Sequence, residues 1–167
     1  MPEVIGFYRP YGPNGEYSNF YEAPFAINET GYWHTEQYIM HQKAVLFGDS
    51  ETAHLILKRR DPLDCKKLGR DVRNFSKPIW DKAVWGIALM GLTAKFSQNP
   101  TLKHKLLETR GNVLAECSPR DCIWGIGLGL EDPRHKDPTR WRGENLLGQC
   151  LMLVRDNFLV WQLDPEK

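Results

Sequence analysis

The stretch Pro78-Ile79-Trp80-Asp81-Lys82-Ala83-Val84-Trp85-Gly86-Ile87-Ala88-Leu89-Met90-Gly91-Leu92-Thr93-Ala94-Lys95-Phe96 decides the class of fold. Trp80, Ala83, Val84, Ile87, Ala88, Leu92 and Phe96 recur at three- and four-residue steps, which lays one apolar stripe along a helix. The spacing therefore predicts a long helix over 78–96. Upstream, Asp61-Pro62 reads as an N-cap followed by proline at the first helical position, with Gly69 as the stop. A helix opened by Asp49-Ser50 is expected to end in Lys58-Arg59-Arg60, where cations suit the negative end of the helix dipole. Another, capped by Thr35, should run to about Phe47. Downstream, Asn99-Pro100 repeats the cap-and-proline signature and Gly111 closes that helix. Asn112 to Cys117 suggests a short strand, and a last helix is expected over 145–158.

The first 33 residues are rich in Gly, Pro, Asn and Tyr, and Gly6-Phe7-Tyr8 and Tyr17 to Tyr21 flank the turn signal Pro13-Asn14-Gly15, predicting a hairpin. Helices dominate and strands are few and short, so the class is α+β: a helix-rich single domain over 1–167. Strict β-α-β alternation and a glycine fingerprint after a strand are both missing, which excludes a doubly wound dinucleotide fold.

The 22 basic residues nearly cancel the 21 acidic ones, leaving +1, so the chain as a whole is no polybasic coat for nucleic acid. With 41% hydrophobic residues it can bury a core. No apolar run reaches membrane-spanning length, and Met1-Pro2-Glu3-Val4 shows no basic segment leading into an apolar stretch, so a cytoplasmic protein is expected. The four cysteines lack a disulfide framework or the two-residue gap of a zinc knuckle. His34-x-Glu36 with Pro119 and Cys122 is similar to the zinc nucleoside deaminases, but those place cysteine straight after the proline, so no metal is expected.

Four constellations could carry chemistry. On a helix, Glu36, Met40 and Lys43 fall within about 40° of one another, with Glu36 and Lys43 roughly 10 Å apart along the axis. Such a pair can approach one ligand from two ends, or it is an acidic first turn plus a solvated lysine. Asp121 beside Trp124-Gly125 can present a carboxylate next to an aromatic face, or Asp121 satisfies turn amides while Trp124 packs in the core. Gly143-Glu144-Asn145 before the last helix can aim backbone amides at an anion, or Asn145 is an ordinary cap. Finally, 58–77 holds eight basic residues against three acidic ones, which suits phosphates or is a solvated face.

Taken in order, Ser18-Asn19-Phe20-Tyr21, Thr35-Glu36-Gln37-Tyr38 with Gln42-Lys43, Leu68-Gly69-Arg70, Lys95-Phe96 with Gln98-Asn99, Glu116 with Asp121 and Trp124-Gly125-Ile126-Gly127, and Gly143-Glu144-Asn145-Leu146-Leu147-Gly148 with Leu151-Met152 and Arg155 resemble the YbiA-like or NADAR (NAD- and ADP-ribose-associated) superfamily. The resemblance runs from about Tyr8 to Arg155. It implies a compact helix-rich α+β fold and hydrolysis of an N-glycosidic bond at a ribose C1′, without cofactor or metal. It also implies one of two substrate classes, ADP-ribosylated guanine in nucleic acid or nucleotides, or ribosylated pyrimidine intermediates of riboflavin biosynthesis. Gln37 stands where the riboflavin type usually has His, and Leu128 to Arg142 makes a long link where that type has a short one, so the ADP-ribosyl-guanine group is expected. A reader that binds ADP-ribose or modified nucleic acid without turnover is the alternative from another class.

Under that resemblance Lys43 is the expected nucleophile, forming a Schiff base once the sugar ring opens, and Glu36 or Asp121 moves protons. Trp124 is expected to stack on the base or ribose. Arg70, Gly143 and Asn145 take phosphate or ribose oxygens, with Ser18, Asn19 and Gly125 completing the binding set.

Overall fold

Asp61 opens its helix as the cap-and-proline signature requires: its carboxylate Oδ1 accepts from the amides of Leu63 and Asp64, and Pro62 follows. The computed structural model describes residues 1–163. Six helices are described: α1 (Thr35–Leu46), α2 (Ser50–Leu57), α3 (Pro62–Arg70), α4 (Lys77–Ser97), α5 (Pro100–Glu108) and α6 (Leu146–Leu163). Four short strands accompany them: β1 (Val4–Phe7), β2 (Phe25–Ile27), β3 (Thr30–Tyr32) and β4 (Val113–Glu116). The α+β class and the long helix over 78–96 stand. Gly69 does not stop α3, which runs through it to Arg70. Its function is close approach, because a Cβ there would lie 1.9 Å from Met40 Sδ.

The contacts divide the chain into two compact units. Glu22–Asn99 holds β2, β3 and α1 to α4. Its core gathers Ala44, Ala53, Ile56, Cys65 and Val72, with Met40, Phe47 and Leu68 packed against them. Phe25, Tyr32 and Tyr38 form a second, aromatic group, with Tyr38 edge-on to both partners. β2 and β3 pair antiparallel through Asn28-Glu29, both at positive φ (49° and 65°), which suits the right-handed twist of a tight hairpin. Along the outer edge of β2, the Gln98 side-chain amide accepts from Ala26 N–H and donates to Ala26 C=O, both at 2.8 Å.

The other unit, Met1–Tyr21 with Pro100–Lys167, holds β1, β4, α5 and α6. Its core gathers Ala115, Cys117, Ile126 and Leu128, with Val4, Leu130 and Trp141 against them. Here the hairpin predicted across Pro13-Asn14-Gly15 is absent. β1 instead pairs in parallel with β4, from Val4↔Val113 to Phe7↔Glu116. Asn14 does take the left-handed conformation (φ 56°), but the chain then makes a 3-10 turn at Gly15–Tyr17. Tyr17 is pulled inward, edge-on to Phe7 at 5.8 Å with its hydroxyl donating to Lys105 C=O, and so cannot continue as a solvent-facing strand. Among the described residues no helix is long and apolar enough to cross a membrane.

Candidate active site

The helix that carries Glu36 and Lys43 begins one residue earlier than a threonine cap would place it. His34, not Thr35, is the N-cap of α1: its Nδ1 accepts from Gln37 N–H at 3.0 Å. The proton must then sit on Nε2, which donates to Arg60 C=O at 2.8 Å. Both ring nitrogens are committed, so the deaminase-like pattern has no ligand at this position. Burial holds the His34 imidazole below its ordinary 6.5, against the opposing pull of the Arg60 carbonyl. Gln37 completes the junction. Its Oε1 accepts from Trp33 N–H, and its Nε2 donates to the carbonyls of Ile56 and Arg59 at the end of α2.

With the helix start fixed, Glu36, Met40 and Lys43 share the face the spacing predicts. Glu36 is buried, and Met40 lies against Gly69 of α3. Lys43 is half-buried, and its Nζ donates to the Gly69 carbonyl at 2.7 Å, near the C-terminal end of α3. Aromatic rings sit near the ammonium as well, Phe75 at 4.4 Å and Trp80 at 5.7 Å from ring centroid to Nζ. Burial lowers the Lys43 pKa from its ordinary 10.5, and the negative charge of Glu36 opposes that fall. Arg70, exposed, follows directly after the carbonyl that Lys43 binds.

The surrounding basic stretch is far less cationic than its composition. Arg60 is paired with Glu22, Lys67 with Asp64, Arg73 with Asp49 and Glu51, and Lys77 with Asp81. Asp49, whose side chain is fully buried, caps α2 and takes both the amide and the guanidinium of Arg73, which holds its carboxyl well below the usual range.

The remaining expected residues lie in the other unit. Ser18 Oγ accepts from Phe20 N–H at 3.1 Å. Asn19 Oδ1 is buried without a hydrogen-bond partner, an unsatisfied acceptor of the kind that calls for an explanation. Asp121 Oδ1 accepts from the amides of Ile123 and Trp124 at 2.9 and 2.8 Å, the turn-building use of that residue. Half-buried Trp124 follows in the same turn. Asn145 stands in the left-handed region (φ 55°) and clamps α6 to β4, accepting from Glu116 N–H and donating to Leu114 C=O.

The amides expected to face an anion at the start of α6 do something else. Those of Glu144, Asn145, Leu146 and Leu147 donate to the carbonyls of Cys122, Gly125, Ile123 and Trp124. Gly143 packs so tightly on the same loop that a Cβ would lie 2.2 Å from Gly125 O. Loop carbonyls thus take the place of the anion at these amides. Buried Cys65, Cys117 and Cys150 are thiols that desolvation pushes up to about 12, which leaves them inert.

Three contributors to the Lys43 environment went unread in the sequence. By spacing Trp80 belongs to a core stripe and Gly69 to a helix stop, and no motif singles out Phe75. The i, i+7 spacing of Glu36 and Lys43 names a helix face, but only the packing of α3, the following loop and the start of α4 around α1 supplies the carbonyl and the rings.

The comparisons with known proteins agree with this architecture. The NADAR domain family model matches residues 6–159. The chain is 45% identical over 125 residues to N-glycosidase R617 of Acanthamoeba polyphaga mimivirus, a match covering 75% of this chain and 74% of that protein. It is 40% identical over 130 residues to Protein irg-1 of Caenorhabditis elegans, covering 77% of this chain and 61% of that protein. The NMR structure of the Escherichia coli protein YbiA superposes with a TM-score of 0.81 at 27% identity, covering 98% of this chain and 90% of YbiA. This chain belongs to the NADAR domain family.

Proposed function

We propose that the protein is an N-glycosidase that removes ADP-ribose from ADP-ribosylated guanine, with Lys43 as its nucleophile. The observation that carries the reading is the seat of Lys43: a half-buried amine, lowered in pKa by desolvation, fixed by the Gly69 carbonyl, with buried Glu36 on the same helix face. Relatives that bear the name N-glycosidase support the bond class. Gln37 and the long 128–142 link favour guanine over a ribosylated pyrimidine.

In this scheme the neutral amine attacks C1′, and the C1′–N bond breaks with its electron pair going to the base nitrogen. Glu36 takes the proton released by the attacking nitrogen and returns a proton to the departing base. The ribose ring then opens to give a Schiff base between C1′ and Nζ, the nitrogen's remaining proton passing to O4′ as the C1′–O4′ bond breaks. Water hydrolyses the imine and restores lysine, so the sum is glycoside plus water to ADP-ribose plus guanine. Glu36 is preferred to Asp121 as proton carrier because Asp121 Oδ1 already accepts two amides. Arg70, next to the lysine's anchor, is the group for phosphate oxygens.

Mass spectrometry of an ADP-ribosylated guanine oligonucleotide incubated with wild type and Lys43→Ala tests this. Wild type should release ADP-ribose, Lys43→Ala should not, and borohydride should trap an adduct on wild type alone. Equal release by both removes Lys43 from the chemistry. Cleavage of ribosylated pyrimidine but not of ADP-ribosylated guanine overturns the substrate, and binding without release by wild type makes the protein a reader.

A further inference from the structure

The loop between α3 and α4 places an apolar ring where folding alone does not need one. Phe75 is 44% exposed, yet the segment that carries it is firmly held. Val72 is buried in the core of its unit, and Arg73 is tied through both its amide and its guanidinium to Asp49, whose side chain is fully buried. Asn74 takes the left-handed conformation (φ 60°) and so turns the chain just before the ring. Phe47 meets Phe75 edge-on at 5.3 Å and 68°, which fixes the ring's orientation. Against it lies the amine of Lys43. An exposed aromatic held this rigidly is a preorganised surface rather than a misplaced core residue.

We propose that Phe75 is the platform on which the substrate's heterocycle stacks, next to the amine that attacks the sugar. The inference rests on the N-glycosidase reading of Lys43 and adds the specificity-determining residue for the leaving group. A base stacks on an aromatic ring with centroids about 4.5–7 Å apart. Nζ is 4.4 Å from the same centroid, so amine and base share one ring. Attack requires an approach of about 3–3.5 Å, so the base must be seated with its C1′ turned toward Nζ. The two uses of the ring also succeed one another. An ammonium is attracted to the ring's π-face, and that attraction ends when the lysine gives up its proton to become a nucleophile. A two-ring purine covers more of a phenyl face than a one-ring pyrimidine, so the platform favours guanine.

Guanosine 5′-monophosphate and uridine 5′-monophosphate, titrated into the full chain with the Phe75 ring protons followed by NMR, provide a readout that needs no turnover. The guanine nucleotide should shift the Phe75 ring signals upfield, and more strongly than the uracil nucleotide. Phe75→Leu keeps apolar bulk without a π-face, and it should weaken guanosine monophosphate binding and raise KM for ADP-ribosylated guanine by roughly tenfold, while Phe75→Tyr restores both. Unshifted Phe75 signals overturn the platform, as does binding by Phe75→Leu equal to that of wild type. If wild type shifts Phe75 with the guanine nucleotide but releases no ADP-ribose, the platform stands and the hydrolase reading falls. If Phe75→Leu does not fold, the wild-type shifts decide alone.

Discussion

Lys43 is pulled in two directions, and Glu36 sets the balance. Desolvation favours the neutral amine, whereas the carboxylate two turns away favours the ammonium. Glu36→Gln removes that charge, so the Lys43 pKa should fall further. Titration of the 13C-methylated lysine by NMR reads this directly as a midpoint at lower pH than in wild type. Activity of the same variant carries a second signature. Its turnover should drop by about 10²–10⁴-fold if Glu36 moves the proton, while the rising limb of the pH–rate profile moves to lower pH. A variant that keeps wild-type turnover shows instead that the carboxylate only tunes the lysine.

At the scale of elements, α1 and α3 are locked by the absence of a side chain. A Cβ on Gly69 would meet Met40 Sδ at 1.9 Å, Cγ at 2.8 Å and Cβ at 3.2 Å, so more than the flexible tip of Met40 must move. Alanine in a helix interior gains up to about 1 kcal/mol over glycine, but overpacking costs about 1–3 kcal/mol, so the clash wins. Gly69→Ala should therefore lower the melting temperature, and Met40→Ala in the same chain should recover part of the loss. Additive losses in the double variant would show that the two residues do not meet. The sequence made the helices legible because their signals are local: Asp61-Pro62 is a cap within three residues, and the apolar stripe of α4 repeats within one segment. The expected strand near Gly6-Phe7-Tyr8 overlaps β1, but its pairing was illegible because the partner strand begins 109 residues later, at Val113↔Val4. The site divides along the same line. Glu36 and Lys43 follow from helical period, while Phe75 and the Gly69 carbonyl reach Lys43 through tertiary packing that no spacing encodes.

For the molecule as a whole, two buried groups lean the same way with pH. His34 has a folded pKa below 6.5 and Asp49 one below 3.8, so in each case the unfolded chain binds more protons in the window between the two values. Stability is then present above those ordinary values and is lost as pH falls: first below 6.5 as the α1 cap protonates, then below 3.8 as Asp49 loses Arg73. Thermal melts should decline on acidification in those two windows. His34→Asn, which can still cap without titrating, should flatten the first and leave the second; an unchanged first decline removes His34 as its cause. The pairing of Gln98 with Ala26 acts at this scale too. An open strand edge is a template on which other chains can add, and the cross-β ladders of aggregates grow from such edges. Here the peptide-like end of one glutamine occupies the first rung, so the hairpin carries its own chain terminator, and protection against templated polymerisation depends on a residue remote in sequence from the strand it guards.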